Sequence, residues 1–243
     1  MKGLRARLRR LLDVDRSRVV AATLEVNSVV ELKKAFGWEL DPILDDPAIS
    51  CFEYLEDLNE RRRRDAESVG TVARNIAPQV CLDIGTGRGH SAALMAVNAP
   101  AARVVTVNAS PEEIVAGRAG KHTTIALPRE EVGSYYRQRG LANVEQVFAN
   151  TADWEPQGLS AVDLAFIDGC HDADYVVRDT RLALAHLRSG GFILWHDFHP
   201  GLVQQYPWIR SVCEGVERLL GAGLLRGRIL HLRDSWTGVY RAP

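Results

Sequence analysis

From Gln79 onward the chain alternates short β-branched or aliphatic runs with helical segments, and this alternation limits the fold more than any other feature. Strands are expected at residues 80–84, 103–107, 144–148, 162–167 and 192–195, with two more near 228–232 and 236–240. Between them lie helical stretches at 91–98, 173–188 and 208–220, the second closed by Ser189-Gly190-Gly191. Another helix starts at Ser110-Pro111-Glu112-Glu113, where Ser110 caps, Pro111 suits the first turn and Glu113 completes a capping box. Strands alternating with helices predict an α/β, doubly wound, mostly parallel sheet of seven strands. Ligands of such sheets bind at the carboxyl ends of the strands.

The first 75 residues read differently. They are expected to be a helical extension, a lid or an oligomerisation element, with no strand, and residues 76–243 form the α/β domain. Leu4, Leu8, Leu11 and Leu12 recur at helical spacing, and residues 1–18 carry seven Lys/Arg against two Asp. That pattern suits an amphipathic helix packed on its own domain, or one facing a partner or membrane surface. The Arg61–Arg64 run is expected to pair with carboxylates one helical turn away rather than with nucleic acid. A formal net charge of −1 gives no global field for polyanions. No apolar run reaches the roughly 18 residues of a membrane span. The four cysteines, Cys51, Cys81, Cys170 and Cys213, form no CxxC pair, which points to reduced thiols and a cytoplasmic setting.

Asp83-Ile84-Gly85-Thr86-Gly87-Arg88-Gly89-His90-Ser91 follows the first strand of the α/β domain. Glycines at alternate positions let the backbone turn tightly and approach a ligand. A dinucleotide fingerprint needs its third glycine one residue later, where His90 stands. Ile167-Asp168-Gly169-Cys170-His171 ends the fourth strand, and Gly190-Gly191-Phe192-Ile193-Leu194-Trp195-His196-Asp197 spans the fifth. With the acidic residue before GxGxG, these motifs resemble the class I S-adenosylmethionine (SAM) methyltransferases. Within that class they resemble the bacterial methyltransferase family 24, and Leu127–Gly133 is similar to a segment of that family too. The resemblance covers about residues 79–240 and implies a Rossmann-like fold with an antiparallel last strand.

The resemblance also implies site residues. Gly85, Thr86, Gly87, Gly89 and Ser91 would border SAM, with Asp83 beneath its amino end. Asn108 would meet the ribose, where an acid is usual, and Asn150 with Thr151 would lie near the adenine. Both asparagines replace a charged acceptor with a neutral one, so weaker cofactor binding is expected. The runner-up reading is therefore a SAM-fold binding protein with little catalysis.

Asp168, His171, Asp172, His196 and Asp197 converge on the ends of adjacent strands. His171 is the expected general base, with Asp168 and His196 beside it. More distantly, macrocin-type sugar O-methyltransferases carry two adjacent carboxylates at the fifth strand end and one at the fourth, which bind a divalent ion. Asp168 and Asp197 match that set and His196 departs from it, so Asp168, His196 and Asp197 are the metal candidates for Mg²⁺, Mn²⁺ or Zn²⁺, and metal-free catalysis stays open. Asp179 is read as an exposed helix carboxylate. His90 is read as filling a helix start, with contact to the cofactor as the alternative. His122, His186, His199 and His231 receive no role. The expected reaction is O-methylation of a hydroxylated small molecule, a sugar or a natural product. The acidic segment after the fourth strand argues against a nucleic-acid acceptor. A homodimer through the N-terminal helices completes the expectations.

Overall fold

In the computed structural model, residues 17–45, 60–122, 126–159 and 161–243 are described. The strands are β1 (Thr23–Val26), β2 (Val80–Ile84), β3 (Arg103–Asn108), β4 (Val144–Phe148), β5 (Val162–Ile167), β6 (Leu187–Trp195), β7 (Ile229–Leu232) and β8 (Gly238–Arg241). They form one sheet in the order β1-β7-β8-β6-β5-β2-β3-β4. β8 runs antiparallel to β6 and β7, and the other pairings are parallel. The helices are α1 (Arg18–Ala22), α2 (Val29–Phe36), α3 (Glu60–Ile76), α4 (His90–Asn98), α5 (Pro111–Val115), α6 (Ser134–Gln138), α7 (Ala173–His186) and α8 (Pro207–Gly221).

Side chains that alternate along the strands feed two cores. Cys81, Val104, Leu164 and Phe166 pack with α2, α3 and α4 on one face. Leu82, Ile84, Ala165 and Ile193 pack with α1, α7 and α8 on the other. Both faces of the central strands are therefore covered, as a parallel sheet requires.

The fold class agrees with the sequence reading, with an eighth strand added. β1 lies in the segment expected to hold none and extends the sheet edge by pairing Thr23–Val26 with Ile229–Leu232. It has four residues and buries only Val26, so it carries no alternating signature. α7 ends at His186, two residues earlier than expected, and β6 begins at Leu187. The register with β5 shifts between Val162 and Leu164, and Gly190 has φ +77°. Ser189-Gly190-Gly191 thus lies in an irregular stretch of strand, where glycine is tolerated, rather than closing the helix.

The Ser110–Glu113 capping box is present in full. Arg61 pairs with Asp65, and Arg63 and Arg64 pair with Glu67. Asp179 corrects an expectation, because it is fully buried and neither carboxyl oxygen has a hydrogen-bond partner. Cys81, Cys170 and Cys213 are buried and form no disulfide among the described residues, while Cys51 and the basic segment at residues 1–16 lie outside the described residues. Among the described residues no helix is long and apolar enough to cross a membrane.

Candidate active site

The parallel register brings the ends of β2, β5 and β6 side by side. The Asp168 N–H donates to the Ile84 carbonyl at 2.7 Å, and the His196 N–H donates to that of Ile167 at 3.0 Å. A single cavity opens over these ends, lined by Gly85–Arg88, His90, Ser91, Asn108, Asn150, Thr151, Asp168, Gly169 and His196. Its free space is about 1100 Å³ including the mouth.

The glycine loop is shaped from both sides. Gly85 has φ +105°, and a Cβ there would lie 2.0 Å from the Asp168 carbonyl oxygen, so only glycine fits. Gly87 has φ +49° and nothing within 4 Å of where its Cβ would be, leaving its backbone open to the cavity. The segment after residue 126 holds the loop from outside. Gly133 and Tyr135 donate backbone N–H groups to the Gly87 and Arg88 carbonyls at 2.9 Å, and Arg88 pairs with Glu131 at 2.7 Å.

The cofactor candidates fall into two groups. Gly85, Thr86, Gly87, Ser91, Asn108, Asn150, Thr151 and Asp168 line the cavity. Asp83 does not line it. It is fully buried, accepts from Ser91 Oγ at 3.0 Å and Thr106 Oγ1 at 2.6 Å, and burial pushes its carboxyl up to about 7. Gly89 also stays off the cavity wall and starts α4, packed against Tyr136. Asn108 Oδ1 accepts from the Gly87 N–H at 3.3 Å, while its Nδ2 donates to the Ala109 carbonyl. Asn150 bonds Arg118, Ala152 and Tyr175, which fixes the far wall.

Four side chains meet at the ends of β5 and β6, of which Asp168 and His196 line the cavity while His171 and Asp197 lie behind them. His171 Nε2 lies 3.3 Å from both Asp168 Oδ1 and Asp197 Oδ2. His196 Nδ1 lies 3.1 Å from Asp168 Oδ1 and 3.6 Å from Asp197 Oδ2. Asp197 adopts φ +51°, an uncommon conformation for a residue other than glycine. Trp208 Nε1 donates to its Oδ1 at 3.3 Å. Burial opposes the charged form of both imidazoles, but the two carboxylates outweigh it and raise His171, and His196 further, above the ordinary histidine value. Burial likewise disfavours the Asp168 carboxylate, yet His196 and His171 hold it well below the usual range. Ligand atoms of Asp168, His171 and Asp197 all lie within 4.8 Å of one another, and His196 adjoins them.

Several residues escaped the sequence reading. Arg62, Cys170 and Tyr175 line the cavity. His90 also lines the cavity, which agrees with its alternative reading as a cofactor contact, and it stacks on Tyr135 at 4.3 Å. His122 pairs with Asp172 at 2.6 Å across fifty residues, which no local spacing signals.

A glycine loop after β2, acidic and imidazole groups at the ends of β5 and β6, and a β8 antiparallel to β6 define a Rossmann-like methyltransferase of the SAM-dependent class. Residues 82–198 match the profile of methyltransferase family 24, described as "Methyltransferase domain". No curated protein matches the chain. Among solved structures, a putative O-methyltransferase from Klebsiella pneumoniae is 18% identical over 88% of this chain and 96% of that one, with TM-score 0.55. The O-methyltransferase TomG from Streptomyces achromogenes, involved in tomaymycin synthesis and solved with SAM, is 18% identical over the same shares, with TM-score 0.54. Cofactor-bound Rv0187 from MTB is 24% identical over 72% of this chain and 77% of that one, with TM-score 0.52. At these identities the likeness is one of fold.

Proposed function

We propose that this protein transfers the methyl group of SAM to a hydroxyl of a small molecule, with the four-residue cluster as its reaction centre. The observation that carries this reading is the continuity of the cavity, which joins the open backbone of Gly87 to Asp168 and His196. When bound, SAM supplies the methyl group and its own leaving group, which leaves the protein to position the acceptor and remove its proton. Gly85–Gly87 carry the methionine part, Asn108 accepts from the ribose, and Asn150 with Thr151 borders the base.

The donor set suits a divalent cation. Two carboxylates and an imidazole converge, and the negative charge of the carboxylates is what raises both histidines above the ordinary value. Asp168, His171 and Asp197, with His196 alongside, would hold it, and imidazole in the set favours Mn²⁺, Fe²⁺ or Zn²⁺ over Mg²⁺. A cation there supplies charge that acidifies the acceptor hydroxyl. Without one, His171 or His196 would take the acceptor proton, and the neighbouring carboxylates, which raise both imidazoles above the ordinary histidine value, strengthen either as a base. Residues 1–75 act as an extension that closes the acceptor side or joins two copies, a role consistent with Arg62 of α3 on the cavity wall.

The test is transfer of labelled methyl from SAM to phenolic and sugar hydroxyls, run after chelation and again with Mn²⁺ added. Turnover restored by Mn²⁺ and lost in Asp168→Asn agrees with the reading. Full turnover in chelator removes the metal and leaves the carboxylate–imidazole cluster acting alone.

A further inference from the structure

Helix α3 brings to this cluster a residue outside the matched methyltransferase segment. Asp65 is fully buried. Its Oδ1 accepts from the Trp236 N–H at 2.6 Å and the Thr237 hydroxyl at 3.0 Å, both just before β8. Its Oδ2 faces Arg61 Nη1 at 3.2 Å and His196 Nε2 at 3.4 Å. Arg61 also lies over the Trp236 ring, 4.2 Å from its centroid. The carboxylate is therefore anchored from two elements before it meets His196. Across the same imidazole, Nδ1 faces Asp168 and Asp197.

Tying α3 to the turn before β8 needs only an acceptor, which a neutral amide would provide without the desolvation of a buried charge. A buried carboxylate beside one imidazole nitrogen does more, because it fixes which nitrogen carries hydrogen and how the ring is turned. We propose that Asp65 is a positioning residue for His196, accepting the Nε2 hydrogen and so aiming Nδ1 at Asp168 and Asp197. This inference rests on reading the cluster as the reaction centre. It makes α3 part of the machinery that orients His196, beyond covering the cavity.

The experiment is long-range ¹⁵N–¹H correlation spectroscopy on the full chain with ¹⁵N-labelled histidine, His196 being assigned by the signals lost in His196→Gln. In the unaltered protein Nε2 carries a hydrogen. In Asp65→Asn the amide presents a donor, so the His196 ring signals shift towards the Nδ1–H form, while affinity for S-adenosylhomocysteine changes by less than about twofold. An unchanged His196 spectrum in Asp65→Asn overturns the proposal, as does loss of affinity and melting temperature with His196 unmoved. Should Asp65→Asn fail to fold, an Nε2 found without hydrogen in the unaltered protein overturns it by itself. Failure of the unaltered protein to bind S-adenosylhomocysteine would contradict the methyltransferase reading and still leave the spectrum to decide the role of Asp65.

Discussion

Replacing Asp179 with Asn should stabilise the protein more at alkaline than at acid pH. The carboxyl is fully buried in α7 with both oxygens unpartnered, and burial pushes it up to about 7 against a smaller downward pull from the Thr151 side chain. An unfolded Asp titrates near about 3.9. Between those values the native state binds more protons than the unfolded state, so this residue lowers stability progressively as pH rises through the window. The cost is absent below about pH 4, reaches about 2 kcal/mol at roughly pH 5.5 and about 4 kcal/mol at roughly pH 8, using about 1.4 kcal/mol per pK unit. Asn removes the titration but leaves an orphaned amide, whose penalty does not depend on pH. The difference between the two proteins should therefore grow by about 2 kcal/mol across that interval, or about 4–8 °C in melting temperature. Asp83 has the same sign of shift but is present in both proteins and cancels. Urea denaturation of both at the two pH values reads the quantity directly. A stability difference that stays constant with pH would refute the claim that Asp179 is protonated in the native state.

Asn108→Asp should tighten S-adenosylhomocysteine binding by about 1 kcal/mol, because a charged acceptor replaces a neutral one at the ribose, and calorimetry that detects no gain would remove Asn108 from the cofactor site. Gly85→Ala drives a methyl into the Asp168 carbonyl at a positive φ, so a loss of about 3 kcal/mol or more in denaturation is expected, together with weakened cofactor binding. Mn²⁺ affinity, followed by calorimetry, should rise with pH, since the raised pKa of His171 and His196 makes protons compete with the cation. A flat profile would place Mn²⁺ elsewhere.

The sequence made the parallel sheet and the cluster at its edge legible, because both depend on local pattern. β-branched runs at regular spacing mark β2 to β6, and Asp168, His171, His196 and Asp197 each sit within four residues of a strand end. The capping box at Ser110 was equally local. What escaped reading depends on contacts between distant segments. β1 is a four-residue edge strand that takes its structure from β7, and Asp65 meets His196 across 131 residues. Asp179 looks like any surface acid on a helix until the packing of α7 shows that it is buried. The role of Asp83 shifted for a similar reason. It stands where a ligand contact is expected, yet Thr106 and Ser91 take both of its oxygens.

The central claim is that the glycine-lined cavity holds SAM, and titrating the unaltered protein with S-adenosylhomocysteine in a calorimeter tests it most directly. Saturable binding with one site per chain, abolished by a side chain placed at Gly87 where the cavity wall is open, is the expected result. No heat of binding in the unaltered protein, with or without Mn²⁺, would contradict it.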